Sequence, residues 1–86
     1  MYPYLLTLEI LFDNESDTQV VYDSIYIESK AKLTDRSITE ISKEKNKIIL
    51  IVKAKDITAL RAAVNSYLRL LNLVIKIQEN IKEELN

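Results

Sequence analysis

Eighty-six residues with a formal net charge of −1 make a single small domain, 1–86. A chain of this length buries only about 60–65% of its unfolded surface and is marginal alone. There is no Cys, His or Gly, which excludes disulfides, thiolate metal sites, a Cys nucleophile, the commonest general base and every glycine-rich phosphate or GXXG loop.

No apolar run reaches about 18 residues, and no basic stretch precedes the first apolar segment, so the chain reads as soluble, cytoplasmic and free of membrane segments. Charge is unevenly placed. Residues 1–29 carry six acids (Glu9, Asp13, Glu15, Asp17, Asp23, Glu28) and no base, whereas 30–55 carry eight bases against three acids. Residues 56–86 balance at four of each. The basic middle has two readings: a patch for phosphates, or lysines that keep strand edges from pairing with other chains.

Tyr4–Phe12 reads as the first strand. Tyr4, Leu6, Leu8, Ile10 and Phe12 share one face at period two, and Pro3 sits at the entrance, where a missing N–H is harmless. Asp13-Asn14 breaks the strand and offers helix caps. Glu15–Ile27 reads as the first helix, with Val20, Val21, Tyr22 and Ile25 facing inward. An EF-hand loop starting at Asp13 fails, because its sixth and twelfth positions are Thr18 and Ser24 rather than Gly and Glu. The local acids suit a helix N-terminus instead.

Glu28–Asp35 reads as a polar connector. Arg36–Lys43 is a second, weaker strand, in which Ile38 and Ile41, three apart, suggest a bulge or a shifted boundary. Glu44-Lys45-Asn46 makes a turn, with Asn46 suited to a left-handed conformation. Lys47–Lys55 is the third strand. Its run Ile48–Val52 is apolar on both faces, the mark of a central strand.

From Asp56 the chain is helical in pattern to its end. Asp56 is a good N-cap, and the run behind it is free of Gly and Pro. Ile77, Leu70, Ala63, Val74, Tyr67, Leu60, Leu71, Val64, Ile75 and Leu68 cover an arc of roughly 180°, where a surface helix needs about 100°. The excess points to a second burial partner beyond the domain's own sheet. The centre of the arc (Leu60, Val64, Tyr67, Leu71, Val74) is assigned to the core. Its flanks, Leu68, Leu70, Leu73, Ile75 and Ile77, are the candidate partner interface. Arg61, Asn65, Arg69, Asn72, Lys76 and Asn80 form a polar ridge opposite, which periodicity alone reads as a solvated face.

The order is βαββα. With the third strand between the other two, every neighbour is antiparallel, and the helical crossover is right-handed. The expected architecture is therefore α+β: a three-stranded antiparallel sheet of order 1-3-2 with two helices on one face. It leaves the first strand as an apolar edge. That edge makes Tyr4, Leu6, Leu8 and Ile10 the candidate dimer interface. The last helix, about 28 residues and roughly 42 Å long, overhangs its sheet.

No carboxylate pair or nucleophile stands with an orienting third group, so the chain is not read as an enzyme, and no cofactor or metal is expected. A scaffold or dimerisation module is the first reading. The second is a small RNA-binding module acting through the basic segment 30–55. Tyrosines 2, 4, 22, 26 and 67 leave the second and third strands without aromatics for base stacking, which disfavours it.

Lys53–Leu71, KAKDITALRAAVNSYLRLL, resembles the signature of the CTAG/Pcc family, the small subunit of the KEOPS complex. The pattern A-x-D-x-T-A-L-R-A-x-x-N-S-Y-L-R is met by Ala54, Asp56, Thr58, Ala59, Leu60, Arg61, Ala62, Asn65, Ser66, Tyr67, Leu68 and Arg69, and Arg36-Ser37 is also similar to the family. Leu70 departs from it, since many members carry Trp there. The resemblance implies a non-catalytic dimerisation subunit. Such a subunit docks its helices on the catalytic subunit that transfers a threonylcarbamoyl group to adenosine in tRNA. It implies a homodimer, or a heterodimer with a paralogue, and makes Arg61, Asn65 and Arg69 candidate tRNA contacts within the complex.

Overall fold

The computed structural model describes residues 1–31 and 35–85. The elements are β1 (Tyr4–Leu11), α1 (Glu15–Ala31), β2 (Ser37–Glu44), β3 (Lys47–Ala54) and α2 (Ile57–Leu85). The sheet order is β1-β3-β2 with both pairs antiparallel, the α+β arrangement expected from the apolar third strand. β3 alternates fully buried and half-buried residues along its whole length. Ile48, Leu50, Val52 and Ala54 are buried on the helix side, and Val21, Ile25, Tyr67 and Leu71 close over them. Burying an aliphatic side chain of this size stabilises the fold by about 1.5–3 kcal/mol.

Both helices start on caps that the sequence shows. Asn14 caps α1: its Oδ1 accepts from the Asp17 N–H at 2.8 Å, one of the amides a helix start leaves unpaired. Asp56 does the same for α2, accepting from the Ala59 N–H at 2.7 Å.

Several expectations are corrected. Val20 is exposed rather than inward. The buried stripe of α1 is Thr18, Val21 and Ile25, and the Thr18 hydroxyl is satisfied by donating to the Asn14 carbonyl at 2.8 Å. α1 runs on through the first half of the expected connector to Ala31, and residues 32–34 of that connector lie outside the described residues. β2 has no bulge: Ile38 pairs with Lys53 and Ile41 with Leu50 in unbroken register, so the two isoleucines simply point to opposite faces. The left-handed residue of the hairpin is Lys45, at φ 33°, rather than Asn46.

α2 has 29 residues and is therefore about 43 Å long. The molecule measures 48 Å along its longest axis, so α2 sets that dimension. Its C-terminal part meets the start of α1, where Gln78 Nε2 donates to Asp17 Oδ1 at 3.1 Å.

Candidate functional site

β1 is one of two sheet edges, and β3 pairs with it from Tyr4 to Leu11 on one side only. Leu6, Leu8 and Ile10 are half-buried, and Leu8 and Ile10 pack against the core. Tyr4 is exposed. The side chains of this candidate dimer set thus point mostly toward the helices. What the edge offers outward is its row of backbone donors and acceptors.

The sheet face away from the helices carries Leu5, Leu11 and Ile38, all exposed, and the half-buried Ile49 and Ile51. Cross-strand ion pairs frame it. Lys47 Nζ lies 3.2 Å from Glu9 and 3.7 Å from Glu44, and Lys53 Nζ lies 3.4 Å from Glu40. The hydrogen bond and charge of Glu9, then the charge of Glu44, push the Lys47 pKa up.

The outer face of the helices carries a second apolar surface. On α2, Leu68, Leu73, Ile77 and Ile81 are 45–56% exposed, although Tyr67 and Leu71 beside them are buried. Leu73, Ile77 and Ile81 follow one another at i, i+4 spacing along one line of the helix. Two members of the expected partner set behave differently: Leu70 and Ile75 are half-buried and pack against the core. α1 adds Ile27, which periodicity did not select, and Val20, which it placed inward. Ile27 is 70% exposed and Val20 43%; their seven-residue spacing on an uninterrupted helix was the available signal. Tyr22 and Tyr26 stack at 5.7 Å, and Lys30 Nζ sits 5.3 Å from the Tyr26 ring centre.

The signature stretch has a structural reading. Asp56 caps α2 with one carboxylate oxygen and holds Arg36 with the other, at 2.5 Å. The Ala59 amide first, and then the Arg36 guanidinium, keep the Asp56 carboxyl below its ordinary range. Beside this corner Tyr2 donates to the Asp35 carbonyl at 3.2 Å, and Lys55 lies over the Tyr2 ring. Ala54 and Ala59 are buried. Ala59, Ala62, Ala63 and Ser66 line one wall of a cavity of about 510 Å³, with Ser37 and Thr39 of β2 also lining it.

Arg61, Asn65 and Arg69 are all exposed and lie four residues apart on one ridge of α2. Among the described residues neither arginine has an ion-pair partner. No group of three His, Cys, Asp or Glu side chains among the described residues is placed to hold a metal ion. No helix among them is long and apolar enough to cross a membrane.

The fold is a small split βαβ domain, with an open strand edge on one side and an exposed apolar helix face on another as candidate association surfaces. The chain belongs to the Pcc1 family: the family described as "Transcription factor Pcc1" matches residues 5–79. It is 34% identical over 68 residues to the KEOPS complex subunit Pcc1 of Pyrococcus abyssi (strain GE5 / Orsay), covering 79% of this chain and 83% of that protein. A chain in the crystal structure of the binary complex Gon7-Pcc1 superposes with a TM-score of 0.79 at 18% identity, covering 94% of this chain and 99% of that one. At that identity the likeness is one of fold.

Proposed function

We propose that this chain is a non-catalytic scaffold subunit of a KEOPS complex, the assembly that installs threonylcarbamoyl-adenosine in tRNA. It pairs through β1 and docks its helices on the catalytic subunit. One observation carries the reading: Leu73, Ile77 and Ile81 stand exposed on a helix whose neighbouring positions Tyr67 and Leu71 are already buried in the domain. A domain this small gains nothing from exposing such a line in isolation. The family match supports a partner within a KEOPS complex.

Pairing through the β1 edge is favoured over stacking of the open sheet faces. On that face the central strand ends in Lys47 and Lys53, either side of Ile49 and Ile51. A two-fold stack centred on β3 takes these lysines and their glutamate partners out of water, a desolvation that costs affinity.

The autonomous RNA-binding reading is weaker. Of the eight bases in 30–55, Arg36, Lys47 and Lys53 are engaged by Asp56, Glu9 and Glu40. A narrower version stands. Arg61, Asn65 and Arg69 form an exposed ridge that contacts tRNA once the whole complex presents it.

Size-exclusion with light scattering tests the main reading, on the protein alone and after mixing with the catalytic subunit. A dimer that becomes a larger stoichiometric complex is expected. A monomer that ignores the catalytic subunit overturns the reading. Dimerisation only in the presence of a paralogue replaces the homodimer by a heterodimer.

A further inference from the structure

We draw no further inference here: the strongest candidate, the cavity between the C-terminal end of α1, the start of β2 and the small-residue stretch of α2 from Ala59 to Ser66, is an unpartnered groove, and nothing in the structure shows what covers it.

Discussion

Arg36 and Asp56 are twenty residues apart in the chain and 2.5 Å apart in space. The pair ties the start of β2 to the first turn of α2, next to the bond in which the Lys55 amide donates to the Arg36 carbonyl at 3.0 Å. Asp56 therefore serves two elements at once, capping one and anchoring the other. Asp56→Ala removes both roles and should lower the melting temperature by roughly 4–8 °C, the shift a lost N-cap produces in a domain of this size. An unchanged melt would mean that α2 begins elsewhere.

The same residue carries a pH signature. Its carboxyl is held below the ordinary 3.8 by the Ala59 amide and Arg36, so the unfolded chain takes up this proton more readily than the folded one. The stabilisation is fully present above the unfolded value and fades as pH falls through the lower, folded value. Asp56→Asn keeps a capping acceptor but loses the charge. It should melt below the wild type at neutral pH, and the gap should close in acid. Melting curves of both proteins across that range check this; a gap that does not change with pH contradicts it.

Pairing at the β1 edge predicts a protection pattern in hydrogen exchange. β1 amides that β3 leaves free exchange fast in a monomer and slowly in an edge-paired dimer. Leu5→Lys and Ile51→Lys, on the open sheet face, should leave the dimer intact. Leu8→Lys places a charge against the core and should unfold the chain outright. Loss of dimer with Leu5→Lys or Ile51→Lys, the fold retained, would move the interface to the sheet face.

The helix face separates stability from association. Leu71 is 5% exposed, and Leu71→Ala should cost about 2–5 kcal/mol. Leu73→Lys, Ile77→Lys and Ile27→Lys start from exposed positions. Their circular dichroism should match the wild type, while pull-down of the catalytic subunit is lost, because an unpaired charge is expensive to bury at an interface. Lys variants that keep the pull-down would place the contact elsewhere.

Phosphate contact by the arginine ridge has its own readout. In the assembled complex, Arg61→Ala and Arg69→Ala should each reduce the slope of log affinity for tRNA against log salt by about 1. The dimer and the catalytic-subunit complex should form as before. Unchanged slopes return the ridge to a solvated face.

Much of the fold was readable because its main signals are local. Five consecutive apolar residues, Ile48–Val52, mark a central strand, and β3 lies in the middle, although only its Ile48, Leu50 and Val52 face is covered by the helices. Asn14 and Asp56 announce helix starts through their own side-chain chemistry. The misreadings came where two apolar residues competed for one position or where a polar group was buried. Val20 and Val21 lie about 100° apart on the helix, and burial of Thr18 and Ile25 sets the stripe on Val21 and turns Val20 outward. Ile38 and Ile41 looked like a register fault, but each serves a different face. Leu70 and Ile75 were assigned outward with Leu73 and Ile77, because a helical wheel gives angle and not height above the sheet. The core reaches both of them and leaves Ile77 half exposed.

The two edges of the sheet are unlike. β1 presents Leu6, Leu8 and Ile10 behind its free backbone, whereas β2 carries Glu40, Lys43 and Glu44 along its length. A pair formed through β1 uses up the more apolar edge of each copy and leaves outside an edge that carries charges, which disfavours growth beyond two. The stoichiometry of any larger assembly is then written into the strand order. In the proposed pair, two helix faces related by a two-fold axis would present two equivalent berths, one for each copy.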